Sequence, residues 1–253
     1  MKKKKLDDLK LYSSENEYEA RSNLVDHFQN SPLPKDQLLN NLGLYIESKW
    51  LSRILFFYFL YKKIINTQGV IMEFGTHWGQ NTALLTALRG IYEPFNRHRK
   101  IIGFDTFKGF PAINKKDGES DLMVPGKLQL PKNYPDYLRQ ILDTHESLNP
   151  LSHIKKNEIC EGDASLELEK YLKREPHTII AMAYFDFDIY KPTKDCLRLI
   201  KDRITRGSVI GFDELNDPDS PGETLALMEE IGLRNIRLER HQYCSRVSYF
   251  VVE

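Results

Sequence analysis

The sequence predicts a doubly wound α/β fold with a mostly parallel sheet, N-terminal helices before the sheet, and an antiparallel hairpin at its C-terminal edge. Short apolar runs alternate with helical stretches, and the runs are uninterrupted, as is typical of parallel strands buried on both faces. These predicted strands are Val70–Phe74, Ile101–Phe104, Ile154–Cys160, Thr178–Phe185 and Ser208–Phe212. The edge hairpin is predicted because Ile236–Arg240 and Val247–Val252 are joined without room for a helix.

Helical patterns fill the spaces between the strands and precede the first one. Between the strands we expect helices at Asn81–Leu88, Tyr134–Asp143, Ser165–Leu172 and Thr193–Ile204. Residues 1–35 are polar and predict a mobile tail with one short helix, whereas 37–66 repeat apolar residues at the spacing of one or two amphipathic helices. We therefore divide the chain into a tail and helical extension, 1–66, and a main domain, 67–253.

Residues 111–150 interrupt the alternation of strands and helices. They are rich in Pro, Gly, Lys and Asp and contain a single predicted helix. A long irregular insertion inside a compact domain usually covers or recognises a ligand. We expect this segment to be a lid or a substrate-recognition element.

Composition excludes several classes of protein. The 253 residues carry 36 Lys and Arg against 36 Asp and Glu, so no bulk positive field is available for nucleic acid. The longest apolar stretch, Trp50–Tyr61, is interrupted by Arg53 and is too short for a membrane span. Three cysteines without CxxC spacing favour a reducing compartment. We expect a cytoplasmic protein without nucleic-acid or membrane partners, either a monomer or a small homo-oligomer.

Each predicted parallel strand runs into one or two acidic residues at its C-terminal end. They are Glu73, Asp105, Asp163, Asp186 with Asp188, and Asp213 with Glu214. Carboxyl ends of parallel strands lie along one edge of the sheet, and ligands bind at that edge. Any single acid could instead cap a helix or favour a turn. So many carboxylates on one edge would repel one another unless cations or ligand hydroxyls lay between them, and this favours a binding site.

The first strand leads into a glycine-containing turn. Gly75 and Gly79 allow a sharp turn and a close approach to a ligand, and Asn81 can cap the next helix. The turn matches neither the dinucleotide fingerprint nor a phosphate loop. Together with Glu73 just before it, the turn predicts a cofactor site that is not dominated by phosphate contacts.

Acids after the second and third strands extend this cofactor site. Asp105 closes the second strand, where this fold binds ribose hydroxyls. Asp163 offers an acceptor for an adenine amino group, and the Ala164 N–H can reach a ring nitrogen. These residues predict a cofactor of the adenosine type.

Four segments resemble a known family. They are EFGTHWG at Glu73–Gly79, GFDTFKGFP at Gly103–Pro111, FDFDIYKPT at Phe185–Thr193 and GSVIGFDE at Gly207–Glu214. They resemble class I S-adenosylmethionine-dependent methyltransferases, and more narrowly the macrocin O-methyltransferase family, which methylates sugar hydroxyls with the help of a divalent cation. The resemblance covers roughly residues 69–225 and occurs in the family's order and spacing.

The resemblance implies a role for each acid and glycine. Matched residue by residue, the cofactor-binding set is Glu73, Gly75, Gly79, Asn81, Asp105, Asp163 and Ala164. Asn81 stands where serine is common in the family. Asp186 and Asp213 match metal ligands, Glu214 stands where a further Asp ligand is frequent, and Asp188 matches the general base. The implied cofactors are S-adenosylmethionine and Mg²⁺ or Mn²⁺.

Strand geometry independently supports the metal ligands. Neighbouring strands lie about 4.8 Å apart, so Asp186 and Asp213 at matching heights could bind one hard cation. Asp188 would lie about 6.6 Å from Asp186 along a continued strand, which suits a base that reaches a cation-bound hydroxyl. Asp213 and Glu214 can both ligate only if their strand ends before them.

The sequence therefore predicts methyl transfer to a sugar hydroxyl, on a nucleotide-linked or surface-glycan sugar. Two alternatives remain: methylation of a catechol-like or other small diol, and a catalytically silent scaffold that binds the cofactor. His77 in the glycine turn either contacts the cofactor or faces solvent. His241 is an alternative base or, as we expect, a surface histidine.

Overall fold

The computed structural model describes residues 13–253, so the first part of the predicted tail lies outside the described residues. The chain divides into two compact units, Met1–Ile54 and Leu55–Glu253, which are described separately.

The first unit is helical. Helix α1, Glu15–Gln29, begins with a capping box in which the Glu17 N–H donates to Ser14 Oγ and the Ser14 N–H donates to the Glu17 carboxylate. Helix α2, Lys35–Leu38, continues into a 3₁₀ helix, Leu39–Tyr45, and the unit ends within helix α3, Ser48–Ile64. Helix α1 has 15 residues and is longer than the short helix that we predicted, because the capping box starts it within the polar segment.

The second unit contains a seven-stranded sheet. Its strands are β1 Val70–Phe74, β2 Ile101–Asp105, β3 Asn157–Glu161, β4 Ile180–Phe185, β5 Ile204–Phe212, β6 Glu239–Arg240 and β7 Ser248–Val251. Their order is β3-β2-β1-β4-β5-β7-β6. Strands β1 to β5 pair in parallel, and β7 is antiparallel to both β5 and β6. The predicted fold class is confirmed, including its antiparallel edge.

Helices cover both faces of this sheet. They are the second half of α3, then α4 Gln80–Tyr92, α5 Tyr134–Ser147, α6 Ala164–Arg174, α7 Tyr190–Ile200 and α8 Gly222–Glu230. One apolar core joins the sheet to α6, α7 and α8. Another joins it to α4 and to buried residues of α3 such as Phe56, Phe57 and Leu60. Of the helices within residues 13–253, none has the length and apolar character needed to cross a membrane.

A row of stacked phenylalanines lies at the carboxyl ends of four central strands. The ring centroids of Phe104 and Phe74 are 5.1 Å apart, those of Phe74 and Phe185 4.7 Å, and those of Phe185 and Phe212 5.2 Å. All four rings are fully buried, and each stacked pair is also a pair in the strand register. The residues that follow Phe74, Phe185 and Phe212 therefore leave the sheet at the same height, and Asp105, which follows Phe104, is the last residue of β2.

The insertion at 111–150 has only partly regular structure. It contains a 3₁₀ helix, Lys115–Asp117, and ends with α5. Leu138 and Leu142 of α5 pack in a small apolar cluster with Phe107, Leu130 and Ile159. The insertion is thus packed against the main domain, and its role as a lid stays a prediction.

Candidate active site

A cleft opens at the carboxyl ends of strands β1 to β4. It is lined by Gly75, His77, Asp105, Thr106, Gly109, Phe110, Pro111, Leu128, Gly162, Asp163, Ala164, Asp186, Phe187, Asp188, Ile189 and Pro192. Six of the predicted site residues are in this lining: Gly75, Asp105, Asp163, Ala164, Asp186 and Asp188.

Three carboxylates converge beside the cleft. One ligand oxygen from each of Asp186, Asp213 and Glu214 lies within 4.8 Å of the others. Asp186 and Asp213 follow Phe185 and Phe212, which are register partners in neighbouring strands. Strand β5 ends at Phe212, so the adjacent Asp213 and Glu214 are not forced to opposite faces of the sheet.

The chemistry of this cluster fits a hard divalent cation. Mg²⁺ and Mn²⁺ prefer oxygen ligands, and all three side chains supply carboxylate oxygens. Glu214 Oε2 is buried and accepts no hydrogen bond from any described residue. A cation bound by Asp186, Asp213 and Glu214 would satisfy that oxygen and offset the repulsion between the carboxylates.

Two side chains, Tyr184 and Arg246, hydrogen-bond to carboxylates of the cluster and orient them. The Tyr184 hydroxyl donates to Asp213 Oδ1 at 2.6 Å, and Tyr184 is fully buried. The Arg246 guanidinium donates to Glu214 Oε1 and lies 3.2 Å from an oxygen of Asp217. Partners that hold ligand side chains in place are a regular part of metal sites.

Asp188 lies next to the cluster in an unusual backbone conformation. Its φ is +60°, in the left-handed region, and the residue is only 8% exposed. Burial raises the pKa of the Asp188 carboxyl above its ordinary value, and the nearby Asp213 carboxylate adds to this effect. Burial, followed by the Asp188 carboxylate, raises the pKa of Glu214 well above its ordinary value. The carboxyls of Asp188 and Glu214 therefore share a site that favours a proton or a cation between them.

Asp105 lies on the other side of the cleft with both oxygens hydrogen-bonded. The His77 N–H donates to Asp105 Oδ2 at 2.7 Å, and the Phe107 N–H donates to Oδ1 at 2.6 Å. Burial raises the pKa of this carboxyl. A carboxylate oxygen can accept a second hydrogen bond, so Asp105 retains the capacity to bind ligand hydroxyls.

Asp163 is both a helix cap and a cleft residue. Its Oδ1 accepts the N–H groups of Ser165 and Leu166, at 3.1 and 3.2 Å, and the Ser165 hydroxyl at 2.6 Å. Its Oδ2 takes part in none of these three bonds. Ala164, the first residue of α6, adds a small apolar surface to the cleft. The two explanations considered for this acid, helix cap and ligand contact, are thus compatible.

The lining of the cleft has the chemistry to bind an adenosine that carries a positively charged group. Four acidic residues are in its lining: Asp105, Asp163, Asp186 and Asp188. Apolar side chains complete the lining: Phe110, Pro111, Leu128, Phe187, Ile189 and Pro192. Acidic walls favour a positively charged group such as a sulfonium, and the apolar surface favours a planar base.

Three predicted cofactor residues are not in the lining of the cleft. Glu73 is fully buried and accepts a hydrogen bond from the Thr82 hydroxyl. Gly79 is the N-cap of α4 with φ +76°, and a Cβ there would lie 2.2 Å from a methyl carbon of Leu138. Asn81 is buried within α4, so the prediction that Asn81 caps this helix is wrong. The turn reaches its cap two residues earlier because glycine adopts the left-handed conformation there.

The two histidines considered in the sequence analysis are both partly or largely buried, and His241 differs from its expectation. His77 lines the cleft, and burial lowers its pKa. His241 is 7% exposed and packs against the rings of Phe56 and Phe59, so the prediction of a surface histidine is wrong. A lone histidine in a short terminal hairpin gives no sequence signal for this packing.

One buried acid near the cluster is not among the predicted site residues. Glu223 on α8 is fully buried and accepts N–H groups from Phe187 at 2.8 Å and Glu214 at 3.4 Å. Burial raises the pKa of this carboxyl to about 8. Sequence spacing could not place it here, because the turn and α8 bring it back to the sheet edge.

Comparison with solved structures gives matches over nearly the full chain. CalS11, a calicheamicin methyltransferase, is 38% identical with a TM-score of 0.93, covering 95% of this chain and 94% of its own. A second structure, apo CalS11, described as a TDP-rhamnose 3'-O-methyltransferase of calicheamicin biosynthesis, is 35% identical with a TM-score of 0.85, covering 95% and 96%. The O-methyltransferase NovP, at 16% identity, a TM-score of 0.60 and 80% coverage of each chain, shares the fold. No family model and no curated protein matches this sequence.

Proposed function

Because this chain belongs to the class I sugar O-methyltransferase family that includes CalS11, we propose that it transfers a methyl group from S-adenosylmethionine to a sugar hydroxyl with the help of a divalent cation. The enzyme class and the methyltransferase resemblance predicted from the sequence are confirmed by these relatives. The cofactor, the cation and the site residues are parts of the proposal.

The observation that carries the proposal is the convergence of Asp186, Asp213 and Glu214 beside a cleft that also contains Asp188. A catalytically silent scaffold would gain nothing from these buried carboxylates, which repel one another. An enzyme that must hold a cation and accept a proton gains both functions from them.

Asp188 is the proposed base. A sugar hydroxyl is a weak nucleophile at neutral pH, and a divalent cation bound by the cluster would orient it and lower its pKa. The Asp188 carboxylate would accept the hydroxyl proton as the oxygen attacks the methyl group and the bond from that carbon to the sulfonium sulfur breaks, which leaves S-adenosylhomocysteine. Tyr184 and Arg246 hold Asp213 and Glu214 in place from outside the cleft.

The other half of the cleft is the proposed cofactor site. Asp105 would bind the ribose hydroxyls, and Asp163 with Ala164 would contact the adenine. The carboxylates of the cleft favour the sulfonium by charge. Phe110, just before the insertion, and Leu128, within it, would exclude water from the transferring methyl group.

The acceptor is proposed to be a nucleotide-linked sugar. Support comes from a relative that covers nearly the whole chain and is described as acting on TDP-rhamnose. A cation at the cluster would suit two neighbouring hydroxyls, as many hexoses and deoxyhexoses offer.

The test is methyl transfer from labelled S-adenosylmethionine to a panel of nucleotide-linked sugars. We expect transfer to at least one of them, loss of transfer in EDTA, and recovery with Mg²⁺ or Mn²⁺. The variant Asp195→Asn, which alters an exposed ion pair with Lys191 on α7, is a control outside the cleft. Its rate of methyl transfer should stay within about twofold of that of wild type. Transfer that is indifferent to EDTA would exclude the cation, and methylation of catechols alone would exclude the sugar.

A further inference from the structure

The backbone around Asp188 is held from two sides. Left-handed φ is uncommon for residues other than glycine and persists where the surroundings enforce it. The amides on either side of this residue, Phe187 N–H and Tyr190 N–H, both donate to buried carboxylates. These carboxylates belong to Glu223 and Asp117, which come from different parts of the chain.

Glu223 is the anchor on the α8 side. It lies in the first turn of α8 and is fully buried. Its Oε1 accepts the Phe187 N–H at 2.8 Å, and its Oε2 accepts the Glu214 N–H at 3.4 Å. A single carboxylate thus ties the loop that follows β4 to the loop that follows β5.

Asp117 is the anchor on the insertion side. It is 1% exposed and closes the 3₁₀ helix of the insertion. Its Oδ1 accepts the Tyr190 N–H at 2.6 Å, and its Oδ2 accepts the Asn114 N–H at 2.6 Å. Ile189, the N-cap of α7, supplies no side-chain cap, so Asp117 does so from a distant part of the chain.

The two anchors are packed against each other. Gly222 begins α8, and a Cβ at this residue would lie 2.5 Å from Tyr190 N and 2.9 Å from Asp117 Oδ1. Lys116 adds a second tie, because its ammonium contacts the Tyr190 hydroxyl at 3.1 Å and pairs with Glu229 of α8. The insertion, α7 and α8 therefore meet at the turn that carries Asp188.

We propose that Asp117 and Glu223 are positioning residues that hold the Asp188 turn in its left-handed conformation, so that part of the insertion acts in the transfer step rather than only covering the cleft. This inference rests on the proposed role of Asp188 as base. Asp117 acts through the Tyr190 amide, and Glu223 acts through the Phe187 amide and also steadies Glu214.

The kinetic test uses Asp117→Asn and Glu223→Gln, which keep side-chain size but replace one acceptor oxygen with a donor. We expect each to lower kcat at least tenfold while KM for the nucleotide sugar stays within about twofold. Glu146→Gln is the matched control: Glu146 is 5% exposed and binds Arg89, Asn157 and Lys156, and among the described residues no hydrogen bond or ion pair joins it to the turn. It should lower stability without lowering kcat.

A double-mutant cycle tests whether Asp117 affects kcat through Asp188. If Asp117 acts through Asp188, adding Asp117→Asn to Asp188→Asn should lower kcat by less than twofold further. If the losses in kcat of the two single variants multiply in the double variant, the inference is overturned. A fall in kcat for Glu146→Gln as large as that for Asp117→Asn would overturn it as well.

Amide hydrogen exchange separates this inference from the proposed function, because it needs no activity. We expect the Tyr190 amide to exchange at least tenfold faster in Asp117→Asn, and the Phe187 amide to do so in Glu223→Gln, relative to wild type. Unchanged exchange at both amides would overturn the inference even if the enzyme methylates sugars. If these amides exchange faster in the variants but the wild-type protein transfers no methyl group, Asp117 and Glu223 still hold the turn and the proposed function is rejected.

Discussion

At the scale of single residues, Asp186 and Asp213 are neighbours because each follows the last phenylalanine of a strand. Phe185 and Phe212 are register partners, so the next residues leave the sheet side by side. Glu214 joins them since β5 has already ended. Its buried Oε2, which accepts no hydrogen bond from any described residue, is the strongest indication at this scale that the cluster binds a cation.

Asp188→Asn tests the base. The amide keeps the shape of the carboxyl but cannot accept the hydroxyl proton, so we expect kcat to fall about 10²- to 10⁴-fold. Binding of S-adenosylhomocysteine, measured by calorimetry, should change by less than about twofold, because Asp188 is proposed to act on the acceptor. Turnover equal to that of wild type would remove Asp188 from the mechanism.

The site residues that the sequence identified share one property: they lie within a few residues of an apolar strand. Asp186, Asp188 and Asp213 could be placed at one sheet edge by that rule alone. Arg246 and Asp117 could not, because a terminal hairpin and an irregular insertion bring them to the site. Such contacts depend on tertiary packing that leaves no periodic signal in the sequence.

At the scale of elements, the row of stacked phenylalanines supports the floor of the site. Phe185 occupies the middle of the row, between Phe74 and Phe212. Because the next residue is Asp186, any shift of this ring would move a proposed ligand. The row therefore links packing of the sheet to the geometry of the carboxylates.

Phe185→Ala should lower the free energy of unfolding by about 3–5 kcal/mol, since it removes a fully buried ring and leaves a cavity. Urea denaturation followed by circular dichroism measures this change. Phe95→Ala is the matched control, because Phe95 is 74% exposed and should contribute less than about 0.5 kcal/mol. Equal losses of unfolding free energy in the two variants would contradict the proposed role of the phenylalanine row in packing the sheet.

Gly79→Ala tests the turn between β1 and α4. The residue has φ +76°, and a Cβ would lie 2.2 Å from Leu138 of α5, so we expect a loss of about 1–3 kcal/mol in unfolding free energy. Gly43→Ala serves as the control because, apart from its chain neighbours and its own helix backbone, no atom of the described residues lies within 4 Å of its added Cβ. A neutral Gly79→Ala variant would show that the packing of α5 against this turn adjusts freely.

The bounds of strands could be predicted from the sequence where the strand is completely buried. Strand β1 has the predicted bounds, and the ends of β4 and β5 agree as well, because uninterrupted apolar runs leave little choice of conformation. Strand β3 begins at Asn157 rather than at Ile154, since its edge position gives a weaker apolar pattern. Helix α1 was underestimated because its stability depends on a cap and not on a buried face.

At the scale of the whole molecule, fold and family agree while several expectations stay predictions. The doubly wound sheet and the relatives identify an O-methyltransferase. The sequence predicts the cytoplasmic location, the monomer or small homo-oligomer, the absence of nucleic-acid and membrane partners, the boundary after residue 66 and the lid role of 111–150. The balanced formal charge of the chain contrasts with its acidic cleft, so the negative charge is concentrated where a cation and a sulfonium are proposed to bind.

The most direct test of the account is a Mn²⁺ titration of the purified protein, followed by the electron paramagnetic resonance of the free ion. The account predicts one Mn²⁺ per chain in the wild type, loss of that site in Asp186→Asn and in Asp213→Asn, and retention in Asp195→Asn. Wild-type protein that binds no Mn²⁺ at millimolar concentration, or an Asp186→Asn/Asp213→Asn double variant that binds it as tightly as wild type, would contradict the central claim.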